Sequence, residues 1–359
     1  IFLNIQKKVF NKSIFGTAPK LYLTMPLQTQ HHIKNVLITG GTGFIGSNIA
    51  EVLLKEGCQV RILRRENSDL RALKGLNVEH FIGDILDKDS LRQAMEGCDT
   101  VFHTAAIVAM WRKKGTEQRD VNVLGTKNVA EVALESGVKK FIHTSSIAAL
   151  GYRTDGKLSD ETTVFNWNSN LTYKYSKHLA ELEIFKAIEK GLPAVIVNPA
   201  IVIGLKDYRF HGGSLIRRVS SGMVPFYIDG GMNIVYIDDV VFGHIQAAKV
   251  GKIGERYVLG GSNLTIQEAF KQVAEVVGVS SPKFKAPTLL VKWAAKIFDS
   301  ISSVTGNKPL ISSDLIASIG INFWFSSEKA ERELGYKITP FNEAVKKTYE
   351  WYKDEGLLE

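Results

Sequence analysis

Short apolar segments alternate with longer amphipathic segments along the first two thirds of the chain. The apolar segments are 35–39, 59–63, 78–82, 100–104, 140–144 and 194–198. Helical patterns separate them at 44–56, 88–96, 118–136 and 171–190. Continuous apolar strands that alternate with helices are typical of a parallel sheet covered on both faces. The pattern therefore predicts an α/β protein with a Rossmann-type doubly wound parallel sheet.

The rhythm changes after Pro199. A stretch rich in Gly and mixed polar residues comes next, and the segments 235–239 and 256–260 then predict two further strands. Thr265 and Glu268 form a capping-box pattern, which predicts the start of a helix. We expect a Rossmann-type domain and a smaller, mostly helical C-terminal substrate lobe. The domain comprises 35–204, completed by 234–261, and the lobe comprises 205–233 and 262–359.

The N-terminal segment 1–34 is basic, contains no acidic residue and shows little hydrophobic periodicity. We interpret it as a leader or tail outside the fold, with Met25, the first methionine, as the natural start. The alternative is an organelle-targeting peptide, although the segment lacks Arg and is poor in Ser.

The composition excludes several classes of protein. Apolar residues make up 45% of the chain and charged residues 23%, which excludes disordered and collagen-like chains. The net charge is +8, but the five lysines that precede Glu51, the first acidic residue, supply most of it. The remaining excess is small, so we expect no nucleic-acid partner.

The cysteines and the hydropathy bear on compartment and membrane. Cys58 and Cys98 form no CxxC or metal-spaced cluster, so we expect reduced thiols, a cytoplasmic location and no metal site. No apolar run reaches the ~20 residues needed to span a bilayer, so no integral membrane segment is expected. Residues 289–301 come closest, and their interspersed charges predict an amphipathic helix packed on a core.

A glycine-rich turn follows the first strand. Gly40, Gly43 and Gly46 form a G-x-x-G-x-x-G pattern between the first strand and the first helix. The first glycine suits a tight turn, the second lets the backbone approach a pyrophosphate, and the third permits close helix–strand packing. The helix N-terminus near Phe44 would direct its free N–H groups at the phosphates. This context predicts dinucleotide binding.

The end of the second strand bears on the choice of cofactor. A cofactor with a free 2′-hydroxyl usually meets a carboxylate there, whereas this chain has Arg64 and Arg65. Two guanidinium groups favour NADP, because its 2′-phosphate accepts charge-assisted hydrogen bonds. NAD is the alternative, since Glu66 partly offsets the charge. Asp84, after the third strand, is the candidate acceptor at the adenine edge.

A tyrosine and a lysine share one helix face. Tyr173 and Lys177 are spaced i, i+4, and the fifth strand ends beside Ser146 one crossover earlier. We expect the ammonium, assisted by a charged cofactor, to lower the pKa of the phenol from its usual value near 10, and a shift of about three units needs roughly 4 kcal/mol of differential interaction. Tyr349 and Lys353 have the same spacing, but nothing else catalytic lies near them. A Ser-Tyr-Lys set suits hydride transfer at a carbonyl or carbinol carbon.

Residues 35 to about 352 resemble an extended short-chain dehydrogenase/reductase of the NAD-dependent epimerase/dehydratase superfamily. The motifs that carry the resemblance are TGGTGFIG (39–46), GDI (83–85), HTAA (103–106), VNVLGT (121–126), TSS (144–146), YKYSK (173–177), NP (198–199) and IDDV (237–240). Their order and the segment FSSEKAERELGY (325–336) resemble the dihydroflavonol 4-reductase-like branch. That branch is close to the hopanoid-associated sugar epimerase-like proteins.

The resemblance implies roles for particular residues. The catalytic site would contain Ser146, Tyr173 and Lys177, with Asn122 as a structural asparagine. The resemblance and the glycine motif together assign cofactor contacts to these residues: Gly40, Thr42, Gly43, Phe44, Ile45, Gly46, Arg64, Arg65, Asp84, Ile85, Ala105, Ala106, Tyr173, Lys177 and Pro199. It implies an NADP-dependent oxidoreductase that transfers hydride between nicotinamide and a ketone or secondary alcohol of a small organic substrate.

Departures from the superfamily pattern bear on the substrate. Ile147 and Ala148 replace the Asp-Glu pair of sugar-nucleotide dehydratases, so dehydration is not expected. Met232 or Asn233 replaces the Arg with which epimerases hold a diphosphate, whereas Asn198 matches an asparagine that epimerases use against substrate. An NAD(P)-dependent sugar or nucleotide-sugar epimerase is therefore the alternative. A non-catalytic nucleotide-sensing regulator is a minor alternative.

Other features have weaker implications. His103 and His143 lie within predicted strands and are interpreted as core histidines. Trp111, in the loop after the fourth strand, is a candidate for the substrate mouth or an exposed loop aromatic. The substrate and the physiological direction stay open, as does the choice between a monomer and a homodimer. Substrate contacts are expected from 107–116, 150–166 and 205–233.

Overall fold

A seven-stranded parallel sheet forms the centre of the molecule. The computed structural model describes residues 31–108, 115–287 and 317–358, with positions 289–291, 293 and 297 between them. The strands of the sheet are β1 (Asn35–Thr39), β2 (Gln59–Arg64), β3 (Glu79–Ile82), β4 (Thr100–His103), β5 (Lys140–Thr144), β6 (Ala194–Pro199) and β10 (Arg256–Leu259). Their order is β10-β6-β5-β4-β1-β2-β3, and every neighbouring pair is parallel. The predicted Rossmann-type sheet is confirmed.

Helices cover both faces of this sheet. They are α1 (Phe44–Lys55), α2 (Lys88–Met95), α3 (Gly115–Arg119), α4 (Thr126–Glu135), α5 (Thr172–Glu189) and α7 (Ile237–Val250). A π-helical segment, Asp120–Gly125, joins α3 to α4, and 3-10 turns occupy Arg71–Leu73 and Ile147–Ala149. Alternate residues of β1 enter opposite cores, because Val36 and Ile38 pack with α1 and α7 while Leu37 packs with α2, α4 and α5.

Smaller elements beside the main sheet form the remainder of the described chain. A three-stranded sheet contains β7 (Ile201–Ile203), β9 (Gly231–Tyr236) and β11 (Ser262–Thr265), and a parallel pair contains β8 (Phe226–Tyr227) and β12 (Phe284–Lys285). The helices here are α6 (Ser214–Ser220), α8 (Ile266–Val277), α9 (Glu328–Leu334) and α10 (Phe341–Asp354). The predicted capping box is present, because the Thr265 side chain accepts from Glu268 N and the Glu268 carboxylate accepts from Thr265 N.

The segment 235–239 differs from its prediction as a strand. The strand β9 ends at Tyr236, and α7 begins at Ile237. Asp238 and Asp239 lie in the first turn of α7, where carboxylates interact favourably with the helix dipole. Moreover, β9 pairs with β7 and β11 rather than with the main sheet.

One predicted boundary and one predicted packing surface differ from the structure. Residues 31–34 contact the domain although they were assigned to the leader: His31 Nε2 lies 2.8 Å from Thr100 Oγ1, and Gln59 N donates to Lys34 O at 2.8 Å. In the segment predicted as a helix packed on a core, Val291 is buried, but Leu289 and Trp293 are 76% and 69% exposed. Within the described ranges, no helix has the length and hydropathy to cross a membrane.

Candidate active site

The glycine turn after β1 is built so that side chains cannot enter it. Gly40 has a φ of +73°, and a Cβ there would lie 2.6 Å from Ala105 N. A Cβ on Gly46 would lie 2.6 Å from Gly40 O and 2.7 Å from Thr104 Oγ1. The turn, the loop after β4 and the start of α1 are therefore in close backbone contact, and only glycine fits at these two positions.

The N-terminus of α1 is left open toward the turn. Gly43 is its N-cap and supplies no side-chain cap, and the first turn of this helix contains no acidic residue. Gly43 is exposed, while Thr42, Phe44 and Ile45 are half-buried beside it. Free N–H groups and a positive dipole end at an uncapped helix start suit a phosphate. The residues present therefore fit the pyrophosphate of a dinucleotide.

The two arginines at the end of β2 differ in their environments. Arg64 Nη1 donates to Arg65 O and Glu66 O, both at 3.2 Å, so its guanidinium holds the loop that follows. Arg65 is exposed, and its guanidinium makes no hydrogen bond or ion pair with the described residues. Asp84 lies at the next strand end, because Gly83 N donates to Arg64 O at 3.0 Å, and its carboxylate caps Leu86 N at 2.9 Å.

Asn122 ties the loop after β4 to α5. Its Oδ1 accepts from Ile107 N at 2.8 Å, and its Nδ2 donates to Ile107 O and to Ser176 Oγ, both at 3.0 Å. The π-helical segment around Asn122 brings this buried side chain to the loop. The half-buried Ala105 and Ala106 are held in place just before that loop. A structural role, as the resemblance implied, agrees with these contacts.

Ser146 and Tyr173 meet beyond the carboxyl end of β5. Ser146 N-caps the 3-10 turn, where its Oγ accepts from Ala148 N at 3.1 Å and lies 3.5 Å from Pro199 O. Burial raises the pKa of Tyr173 to about 12, and a side-chain hydrogen bond with Ser146 opposes that rise. The predicted Ser-Tyr pair is therefore brought together by the end of β5 and the first turn of α5.

Lys177 lies on the same helix face and is anchored to the same strand end. Its Nζ donates to Thr144 O at 2.8 Å, and the side chain is buried. Burial lowers the pKa of Lys177 to about 8, and the negative charge of Glu181 opposes that fall. The lysine is therefore close to its titration point at neutral to mildly alkaline pH.

Burial dominates the pKa of Tyr173 in the protein alone. Ser146 is the group that opposes the rise, whereas Lys177 has no resolved effect on that pKa, because its hydrogen bond goes to Thr144 O while desolvation acts on the phenolate directly. The lowering of the pKa expected from the lysine and the charged cofactor together stays a prediction.

The amide nitrogen of Asn198 forms its hydrogen bonds within the protein. Its Nδ2 donates to Glu181 Oε1 at 2.6 Å and to Ser146 O at 3.0 Å, and the residue is fully buried. Asn233 is likewise buried, and its Oδ1 accepts from Gly261 N at 2.7 Å. The buried Oδ1 of Asn198 has no hydrogen-bond partner among the described residues, and Asn233 cannot replace the Arg with which epimerases hold a diphosphate.

Sequence reasoning missed one group beside the site. Lys174 follows Tyr173, and its Nζ lies 3.4 Å from the centroid of the Trp167 ring and 2.9 Å from Ser318 Oγ. Trp167 also packs on Phe323, with ring centroids 5.4 Å apart. The first lysine of YKYSK and the nearby Trp167 were signals in the sequence, but Phe323 and Ser318, which complete the cluster, lie far away along the chain.

The other predicted positions are distributed as follows. Tyr349 and Lys353 lie on α10, where Tyr349 packs against the core. His103 and His143 are each 1% exposed, which confirms them as core histidines. Trp111 lies outside the described residues. Among the residues that the structure describes, no group of three metal-ligating side chains occurs.

Comparison with known proteins places this geometry in a family. The family model for the NAD dependent epimerase/dehydratase family matches residues 36–260. A putative dihydroflavonol 4-reductase of Synechocystis sp. is 33% identical over 89% of this chain and 95% of its own. Sterol demethylase protein B of Methylococcus capsulatus is 31% identical over 90% and 99%. The crystal structure of gox2253 gives a TM-score of 0.80 at 38% identity, covering 91% of this chain and all (100%) of that chain.

Proposed function

This chain belongs to the NAD dependent epimerase/dehydratase family of extended short-chain dehydrogenases/reductases, and we propose that it is an NADP-dependent reductase of a ketone, or dehydrogenase of the corresponding secondary alcohol. The observation that carries the proposal is that Ser146, at the end of β5, lies close enough to Tyr173 to affect its pKa, while Lys177 on the same helix face is anchored to Thr144 O at the same strand end. The relative named as a dihydroflavonol reductase supports a small organic carbonyl substrate. The proposed location is the cytoplasm.

The proposed roles follow from the contacts. When bound, the nicotinamide supplies or accepts the hydride. Ser146 orients the substrate oxygen by a hydrogen bond, and Tyr173 gives that oxygen its proton in reduction or removes it in oxidation. With the charged cofactor bound, Lys177 would favour the phenolate and would donate a hydrogen bond to the ribose. Gly40, Gly43 and the start of α1 bind the pyrophosphate.

The alternative of a sugar or nucleotide-sugar epimerase belongs to the same family. The buried Asn233 amide, which accepts from Gly261 N where an epimerase would have an Arg for its diphosphate, favours the reductase, whereas the match of Asn198 to an epimerase asparagine favours the alternative. An epimerase regenerates its cofactor, whereas a reductase consumes one NADPH per product. Loss of NADPH absorbance in proportion to product therefore separates the two.

The test begins with a carbonyl panel that includes a dihydroflavonol and a 3-ketosteroid, the latter because a relative is named for sterols. With the best substrate, Tyr173→Phe should bind NADPH normally and lose at least ~10²-fold in kcat, the usual scale for a general acid. Tyr349→Phe is the control, because it removes a phenol with the same lysine spacing on α10. Full activity of Tyr173→Phe would reject the proposal.

A further inference from the structure

The helix α5 carries a third polar group one turn beyond Lys177. Tyr173, Lys177 and Glu181 are spaced i, i+4, i+8 and lie on one helix face. Glu181 is 1% exposed, yet no step of the proposed reaction uses it. A buried carboxylate is costly unless its charge is compensated, so its place on the catalytic face needs an explanation.

Glu181 is held by two side chains from the sheet. Its Oε1 accepts from Asn198 Nδ2 at 2.6 Å, and its Oε2 accepts from Arg256 Nη1 at 3.2 Å. The same Asn198 amide donates to Ser146 O at 3.0 Å. Because both neighbours of this amide nitrogen are acceptors, the orientation of the amide is fixed. Glu181 is thus connected through one side chain to the backbone of Ser146.

The groups around Lys177 contain one anion. Tyr173 on α5 is uncharged, because burial raises its pKa. The histidines that face this region are neutral, because burial lowers the pKa of each; they are His103 on β4, His143 on β5 and His244 on α7. Arg256 on β10 forms an ion pair with the Glu181 carboxylate, with Nη1 3.2 Å from Oε2. Among the described residues, the one resolved charge that raises the pKa of Lys177 is Glu181.

We propose that Glu181 is a positioning residue of the active site, which keeps Lys177 protonated and holds Ser146 through Asn198. The inference rests on the roles proposed above for Lys177 and Ser146. Removal of the negative charge makes the Lys177 ammonium less favourable, so the lysine should lose its proton at a lower pH. The pH range over which the cofactor binds tightly should then contract from its alkaline side.

The experiment measures NADPH affinity by fluorescence titration between pH 6 and pH 10, with NADH as a second probe. Wild-type affinity should fall as the pH rises through about 8, where Lys177 loses its charge. Glu181→Gln keeps an oxygen that accepts from Asn198, and its midpoint should be about one pH unit lower. Glu181→Asp retains the charge and should restore the wild-type midpoint. An unchanged midpoint in Glu181→Gln would overturn the proposal.

Glu161→Gln is the matched control. Glu161 is also buried and belongs to the same network, since its carboxylate accepts from Val258 N at 2.7 Å and its carbonyl accepts from Arg256. It has no resolved effect on Lys177, so the midpoint of this variant should equal that of wild type. A shift as large as that of Glu181→Gln would mean that general damage to the network, rather than the charge beside Lys177, sets the profile.

Two further variants keep the outcomes distinct. Lys177→Met should weaken NADPH at neutral pH and abolish the pH dependence, and binding like that of wild type would reject the role proposed for Lys177 itself. Arg256→Lys keeps a cation beside the Glu181 carboxylate but changes the shape of the network, so its midpoint should equal that of wild type. A midpoint lowered as far as that of Glu181→Gln would mean that the shape of the network, rather than the charge of Glu181, sets the profile, and it would contradict the proposal.

Discussion

The proposed preference for NADPH predicts different roles for the two arginines at the end of β2. Arg65 is exposed and has no partner among the described residues, so its guanidinium is available for a 2′-phosphate. NADH lacks that phosphate, so the Arg65 guanidinium adds nothing to the affinity for NADH. One charge-assisted hydrogen bond is worth roughly 1.5–3 kcal/mol, which solvent around an exposed guanidinium reduces to about 1–2 kcal/mol. Arg65→Ser should therefore weaken NADPH by about five- to thirtyfold and leave NADH unchanged.

Arg64 gives the matched comparison. Its guanidinium donates to two loop carbonyls, and its Nε lies 3.3 Å from His80 Nδ1. Arg64→Ser should loosen the loop and weaken both cofactors by a similar factor. Fluorescence titration of each variant with NADPH and NADH measures both effects. If wild type prefers NADH, or if Arg65→Ser weakens both cofactors equally, the assignment of the 2′-phosphate to Arg65 is wrong.

The remaining predictions concern the scaffold of the site. Gly40→Ala should abolish binding of both cofactors, because the added Cβ would collide with the loop after β4. Gly57→Ala is the control: its φ is +82° as well, but no atom lies near the added Cβ, so thermal unfolding should show a loss of only about 1–2 kcal/mol of stability. Lys174→Met should raise KM several-fold with unchanged NADPH affinity, while Lys186→Met, on the exposed side of α5, should leave KM unchanged. Asn122→Ala should lower the unfolding free energy by about 1–3 kcal/mol, measured by urea denaturation, because it leaves Ile107 N without an acceptor while Ile107 O keeps its bond from Gln118 Nε2.

The main sheet was predictable because each strand carries its own local signal. Strands 35–39 and 140–144 match their predictions at both ends, and each is almost wholly buried from end to end. A strand buried on both faces needs apolar residues throughout, so its length can be read directly from the sequence. The glycine turn was predictable for a similar reason, since steric exclusion at Gly40 and Gly46 leaves one residue type.

The smaller sheets lacked such a signal. The segment 235–239 looks like one apolar strand, but its register places Tyr236 at the end of β9 and Ile237 in a helix. A tertiary contact holds the start of the helix that follows, because Asp239 accepts hydrogen bonds from Thr339 N and Thr339 Oγ1, which come from a distant part of the chain. Contacts at that separation leave no periodic trace, so hydropathy alone could not locate this boundary.

The chemistry of the site was likewise predictable only in part. The i, i+4 spacing of Tyr173 and Lys177 fixes which groups share a face, because helix geometry is local. The pKa of each group depends on what surrounds that face, and burial opposes charge on both, so it raises the pKa of Tyr173 and lowers that of Lys177. Because burial moves both Tyr173 and Lys177 toward their neutral forms, a fixed charge nearby is needed to keep Lys177 protonated. Glu181 supplies that charge from the next turn of the helix, and Arg256, its partner, is distant in sequence. The reactive state of this site is therefore set by a pair that the motif YKYSK does not contain.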